Sequence, residues 1–348
     1  MNRDPFAGEW MDNEHPALRR CWHPVARVGD LDGDGPLAVT LLGEHWCIVR
    51  LGGRLTALPD TCPHRLAPLS AGTVVGDTLQ CAYHGYRFDA DGTCVDIPAL
   101  APGTPIPSRA GCGAAHGVVE HLGLLWLAPE EPLVDLPEVP EHTDPSFVHC
   151  PLPVVEWKAG AAQMTDNFLD VGHLAFLHLA TFGSEGDRRV GDYDVDRDGW
   201  RFSVRYKHLS KALGDSHHPG EDFRTVERES WFIYTPPHHV WLRLSYPDEA
   251  AILTISFCHQ PVDATTTRLY CTDYRNDIAD EPDAIAEAVA FQLAVAAEDQ
   301  AMLEQIRRPA VPLDVTGEFH SKADRITLEM RRTLRRLADA ATSETAPT

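Results

Sequence analysis

Cys62-Pro63-His64 and Cys81-Ala82-Tyr83-His84, with sixteen residues between His64 and Cys81, form a C-x-H … C-x-x-H pattern. Each short segment carries one thiol and one imidazole. Zinc sites usually take a cysteine pair and then a histidine pair, whereas here the order is Cys, His, Cys, His. That order suits a two-iron, two-sulfur cluster with both cysteines on one iron and both histidines on the other. Two neutral donors in place of two thiolates raise the reduction potential above that of an all-cysteine cluster. Pro63 stiffens the first segment, and Gly85 permits a tight turn directly after His84. Arg65, Tyr83 and Tyr86 are close enough in sequence to donate hydrogen bonds around such a group. A structural zinc site, or buried cysteines and histidines unrelated to one another, are the alternatives.

A second set, Asn167, Asp170, His173 and His178, follows N-x-x-D-x-x-H-x-x-x-x-H. On one continuous helix at ~100° per residue, His173 falls about 300° and His178 about 80° past Asp170, so all three share a side with Asn167. Two histidines and one carboxylate with open positions are the facial triad that binds ferrous iron and activates dioxygen. The carboxylate is expected from a long helix over Asp283 to Arg308, which offers Glu298, Asp299 and Glu304. Val295, Ala296, Met302, Leu303 and Ile306 form its apolar stripe, and Asp299 lies within it. An aspartate on an apolar face needs a partner such as a metal. Glu298 and Glu304 fall off the stripe and read as solvated. Asp299 could instead cap or pair with an arginine, and Asp170 could be a simple charge at a helix N-terminus.

These residues need two different scaffolds. The 348 residues, at ~150 per domain, give about two domains, expected over 1–130 and 131–348. Residues 23–128 read as short strands punctuated by Gly29-Asp30, Gly52-Gly53 and Asp91-Gly92, an all-β module. Residues 129–145, rich in proline and acidic side chains, read as a linker. The second half reads as a helix over Thr165 to Ala180 and strands near 200–206, 230–234, 240–246 and 251–258, followed by the long helix. That is an α+β arrangement of helices packed on an antiparallel sheet. Trp231, Phe232, Trp241 and Phe257 would line an apolar pocket or fill the core. His238-His239 reads as a strand start, His217-His218 as part of a solvated loop, and the terminal SETAPT as unstructured. Arg331, Arg332, Arg335 and Arg336 fall on one helix face, a solvated or contact surface.

Composition narrows the class of activity. Lys plus Arg is 30 and Asp plus Glu is 52, a net charge of −22, which argues against nucleic acid and against anionic membranes as partners. Nine scattered cysteines, a start (MNRDPFAGEW) without a signal-like apolar run, and no ~18-residue apolar stretch lead to the expectation of a cytoplasmic protein with free or metal-bound thiols.

The segment CPHRLAPLSAG … CAYHGYRFDADGTC resembles the Rieske domain of Rieske non-haem iron oxygenases, with Ala82 where many relatives have proline and Tyr86 where many have tryptophan. The resemblance implies a 2Fe-2S cluster on Cys62, His64, Cys81 and His84. It also makes His173, His178 and Asp299 the ligands of a mononuclear Fe(II), since Glu298 to Glu304 is similar to the family's E-D-x-x-x-x-E helix. Asp170 takes the family's bridging place between an iron-ligand histidine and a cluster histidine, the equivalent of His84, of the neighbouring subunit. A head-to-tail homotrimer and a helix-grip catalytic domain follow. So do O2 as co-substrate, with electrons from NAD(P)H through a flavin reductase or ferredoxin. The chain length is similar to vanillate-type O-demethylases, which implies hydroxylation or demethylation of a small, largely apolar, aromatic or polycyclic molecule. An electron carrier with a degenerate second half and a ring-dihydroxylating dioxygenase are the alternatives.

Overall fold

The computed structural model describes residues 8–31, 33, 35–183, 188–213 and 224–343. His217, His218 and the last five residues lie outside them. The chain divides into two units: Pro16–Asp135, and Leu136–Thr348 together with Met1–His15. The N-terminal residues therefore sit with the second unit, where the sequence pattern assigned them to the first. The cause is local pairing. Trp10–Met11 pairs antiparallel with Val311–Pro312. The buried Asn13 donates through Nδ2 to the carbonyls of Asp263 and Thr266 and to Thr267 Oγ1, while its Oδ1 accepts from Ala161 N.

The first unit is three small antiparallel sheets. One orders Gly117–His121, Leu124–Ala128 and His23–Arg27, and the second orders Leu37–Leu41, Glu44–Leu51 and Arg54–Pro59. The third is the four-stranded sheet of Thr73–Val75, Thr78–Gln80, Arg87–Phe88 and Cys94–Asp96. Gly52-Gly53 closes the hairpin between Leu51 and Arg54 with both residues at positive φ, the mirror-image turn whose twist suits adjacent strands. Val49, Leu51, Leu58, Leu69, Leu79 and Phe88 are buried in one core, against which the two Cys/His segments close.

The second unit is built on an eight-stranded antiparallel sheet. Its main path runs Val148–Pro151, Thr266–Arg275, Ala251–Asp263, His239–Tyr246, Thr225–Thr235, Arg201–Lys211, Val195–Asp198. Helices α1 (Ala161–Leu169), α2 (Leu174–Leu177) and α3 (Pro282–Leu303) belong to this unit, as does α4 (Arg325–Ser343). Side chains alternate across a strand, so Phe232, Leu242, Leu244, Leu253, Ile255 and Phe257 share one face, and Met164 of α1 and Ala296 and Leu303 of α3 join its core. Phe168 of α1 stacks on Phe257, with centroids 3.9 Å apart. α1 begins at Gly160, where any Cβ would lie 2.1 Å from the carbonyl oxygen of Pro309. α3 starts with Pro282 at its first turn. It ends at Leu303 rather than running to Arg308, because Gln305 N and Ile306 N bond back three residues and tighten the chain out of the helix.

The expected linker is docked from Leu136 onward. Leu136 O accepts from Arg201, and the buried Glu141 accepts from Trp241 Nε1 and Arg243 Nη1. Trp231 and Trp241 thus face away from the side of the sheet that carries Phe232 and Phe257. The Arg331–Arg336 face is not a free cationic surface either. Arg331 pairs with Asp166 and Glu318, Arg332 with Glu329, and Arg335 with Glu9, while Arg336 lies over the Trp200 ring.

Candidate metal centres

The continuous helix expected over Thr165 to Ala180 is broken. α1 stops at Leu169, and Asp170 is extended (φ −81°, ψ 122°). The Asp170 Oδ1 accepts from Gly172 N at 2.7 Å, a local side-chain turn that competes with helical bonding. His173 and His178 then flank the single turn of α2 as its N- and C-caps. Helical periodicity was therefore the wrong geometry, yet the residues still converge.

His173 Nε2 and His178 Nε2 are 3.1 Å apart. Asp299 Oδ1 lies 3.5 Å from the first and 3.3 Å from the second. Ligands about 2.1 Å from one ion stand about 3.0 Å apart at right angles and about 3.4 Å apart in a tetrahedron. Two of the three edges fall in that range and the third, at 3.5 Å, lies just beyond it; with two imidazoles and a carboxylate the set fits a divalent metal with open positions. Asn167 Nδ2 donates to Asp299 Oδ1 at 2.9 Å, which fixes the carboxylate's rotation. Burial would raise the Asp299 carboxyl, but His173, His178 and Asn167 outweigh it and hold it at about 2. Burial likewise opposes charge on His173, and the carboxylates of Asp170 and Asp299 overcome it, lifting the imidazole to about 9. His173 Nδ1 lies 3.5 Å from Asp170 Oδ2, a long contact in which attraction is electrostatic rather than a made hydrogen bond.

Glu298 is not solvated. Its Oε2 accepts from His178 Nδ1 at 2.8 Å and from Thr181 Oγ1 at 2.8 Å. That places the His178 proton on Nδ1 and leaves the Nε2 lone pair facing Asp299 and His173, the usual way a carboxylate orients a metal-binding histidine. The apolar-stripe argument missed it because a residue 100° off the buried face still reaches a neighbouring segment. The signal available was its place beside Asp299. Glu304 is exposed and accepts from Lys158 N.

In the first unit the two Cys/His segments fold as equivalent turns. Leu66 N bonds to Cys62 O and Cys62 N to Ala67 O; Gly85 N bonds to Cys81 O and Cys81 N to Tyr86 O. The fourth residue after each cysteine is left-handed, Leu66 at φ 58° and Gly85 at φ 73°, so Gly85 carries no side-chain strain where Leu66 does. Both cysteines are buried, and the His64 and His84 rings are 4.3 Å apart at 73°. Burial and the adjacent Cys81 thiol push the Cys62 thiol up, while burial with His84 and Arg65 lowers His64. Two packed thiols beside two paired imidazoles fit a mixed cysteine/histidine cluster. Tyr86 stacks on His64 at 4.6 Å and Tyr83 lies over His84 at 3.9 Å, so these rings pack on the imidazoles.

A cavity opens on the triad. His173, His178 and Asp299 form one wall; Phe168, Phe182, Phe232, Leu242, Ile255 and Phe257 supply much of the rest, and Tyr206, His208, Arg228 and Ser230 are its polar lining on the sheet. No described helix is long and apolar enough to cross a membrane.

Residues 21–116 match the Rieske [2Fe-2S] domain, and residues 157–340 match the vanillate O-demethylase oxygenase C-terminal domain. The methylxanthine N1-demethylase NdmA of Pseudomonas putida is 29% identical over 95% of this chain and 92% of its own length. A putative toluene-4-sulfonate monooxygenase iron-sulfur subunit, TsaM2 of Comamonas testosteroni, is 30% identical over 85% and 92%. The solved structure of NdmA with caffeine superposes with a TM-score of 0.82 at 28% identity, covering 95% of this chain and 94% of that one. Dicamba monooxygenase bound to dicamba, at 22% identity and a TM-score of 0.78 over 94% and 99%, shares the fold.

Proposed function

This chain belongs to the Rieske oxygenases with a vanillate O-demethylase-type catalytic half, and on that premise we propose the assignment of its two metal centres and its reaction. It is an oxidoreductase of the Rieske non-haem iron monooxygenase kind. Cys62, His64, Cys81 and His84 hold the 2Fe-2S cluster, which supplies single electrons. His173, His178 and Asp299 hold mononuclear Fe(II), which when bound supplies one-electron chemistry toward dioxygen. Convergence of the three triad ligand atoms within 4.8 Å is the observation that carries this reading.

The remaining residues prepare the site. Glu298 fixes the His178 tautomer, Asn167 fixes Asp299, and Asp170 holds His173 from the side away from the triad. A third of the Asp170 side chain stays exposed, which suits a bridge to His84 of a neighbouring subunit in a head-to-tail homotrimer. The phenylalanine and leucine wall excludes water and accepts an apolar ring. Relatives named for methylxanthines and toluene-4-sulfonate support a small aromatic or heterocyclic substrate. For a methyl group on oxygen or nitrogen the balance is substrate, O2, two electrons and two protons giving demethylated product, formaldehyde and water. The electrons come from NAD(P)H through a reductase or ferredoxin in the cytoplasm. Anaerobically prepared protein is expected to hold about three irons and about two acid-labile sulfides per chain. His173→Ala should lose the mononuclear iron and all turnover while the reduced cluster keeps its paramagnetic resonance signal. Zinc without sulfide, or unchanged turnover in His173→Ala, would overturn the assignment.

A further inference from the structure

Arg228 and His208 face each other across adjacent strands of the sheet, and both line the cavity that holds the triad. Arg228 is 7% exposed. Its one described hydrogen bond runs from Nη2 to His208 Nε2 at 2.7 Å, and its Nε is buried with no partner. Because His208 Nε2 accepts, the His208 proton sits on Nδ1, and that buried N–H also has no partner. Burial and the adjacent guanidinium hold this imidazole neutral, lowering it to about 3.

A guanidinium is always charged, and leaving one buried without a counter-charge costs several kcal/mol. No carboxylate among the described residues balances it. Glu227 and Glu229, its neighbours in the strand, point to the opposite face and pair with Lys207 and Arg205. Asp170 and Asp299, the carboxylates that line the cavity, are engaged by Gly172 and His173, and by Asn167, His173 and His178. The rest of the wall near Arg228 is apolar or neutral.

We propose that Arg228, positioned by His208, is the anchor for an anionic group on the substrate, so that the enzyme acts on a small aromatic acid. A carboxylate offers the in-plane acceptor pair that a guanidinium matches. It would be held at the sheet wall while the ring extends over Phe232 and Ile255 toward His173, His178 and Asp299. Desolvated polar groups of this kind give strong discrimination, because a ligand without the matching acceptor leaves them unpaired. The inference rests on the oxygenase reading only in calling the bound acid a substrate.

The test titrates the full-length protein, and separately its His173→Ala form, with benzoate, 4-methoxybenzoate and 1-naphthoate and with the three matching amides, by calorimetry. At least one acid is expected to bind tenfold or more tightly than its amide in both proteins. Arg228→Met should bring that ratio to within twofold of unity while the amide's Kd stays within twofold, and Arg228→Lys should retain part of it. An equal loss for acid and amide in Arg228→Met would mark a structural residue and overturn the proposal, as would a panel in which no acid binds better than its amide. Failure of the oxygenase reading looks different: acid preference intact, with no iron bound and no formaldehyde from 4-methoxybenzoate under reducing conditions.

Discussion

Replacing Glu298 by alanine removes the oxygen that accepts from both His178 Nδ1 and Thr181 Oγ1, each at 2.8 Å. The His178 side chain is 2% exposed and that of Glu298 is 18% exposed, so water replaces the carboxylate poorly. A hydrogen bond to a charged group in such a place is worth about 1.5–3 kcal/mol, and loss of a carboxylate behind a metal-bound histidine costs about 10–100-fold in metal affinity. Both routes arrive at the same range, since tenfold is about 1.4 kcal/mol. Glu298→Ala should therefore bind Fe(II) about 10–100-fold more weakly. Glu298→Gln keeps an acceptor oxygen and loses only the charge, so its loss should sit near the lower end. The assay is anaerobic Fe(II) titration of protein stripped of mononuclear iron but retaining its cluster, with the cluster's visible absorbance as the measure of an intact fold. Glu304→Ala, altering the exposed residue that directly follows the same helix, should leave the affinity unchanged. An Fe(II) affinity in Glu298→Ala within twofold of the parent would falsify the claim that Glu298 orients His178 for a metal.

Two further perturbations probe the scaffold. Arg331 bonds Asp166 through two nitrogens at 3.1 and 2.8 Å and is itself buried, so Arg331→Ala strands the carboxylate next to Asn167. The cost should be about 3 kcal/mol, the low end for a broken buried pair, because 21% of the Asp166 side chain is exposed; a thermal unfolding midpoint unchanged within a degree would contradict this. His23, wholly buried with Nε2 on Leu18 O at 2.7 Å, is lowered by burial from 6.5 to about 4. The unfolded chain therefore binds this proton first as pH falls. Stability present above pH 6.5 should drain away toward pH 4, at about 1.4 kcal/mol per unit. His23→Gln, which keeps a donor for Leu18, should flatten the chain's urea-unfolding stability across that window; an unaltered slope would refute the assignment.

The chemistry was legible in the sequence to an unusual degree, because metal sites are written in residue type and short spacing. Cys62, His64, Cys81 and His84 needed only two tight turns, and Gly85 already announced one of them. His173, His178 and Asp299 could be named because a carboxylate on an apolar stripe demands a partner. What periodicity cannot see is a local competitor to the helix. The Asp170 side chain bonding Gly172 N ended α1, so the histidines arrive on a turn and not on a helical face. Strand alternation likewise separates Phe232 and Phe257, which line the cavity, from Trp231 and Trp241, which do not. That division depends on which face α1 and α3 cover, a tertiary fact.

Three assignments were beyond any reading of spacing. Glu298 and the arginines of α4 looked solvated because a one-dimensional stripe ignores what packs beside it; the structure sets Thr181 and His178 against Glu298, and Asp166 and Glu318 against Arg331. The N-terminal residues join the catalytic unit through a two-residue strand pair and one asparagine, contacts that cross about 250 to 300 positions and leave no local pattern. Arg228 is the sharpest case. In sequence it sits between two glutamates, whereas the pleat sends those carboxylates to the far side of the sheet, so that no carboxylate among the described residues pairs with it. The sequence alone supplied residue types able to hold metal; only the fold decided how they converge and what surrounds them, because convergence and burial are properties of packing in three dimensions.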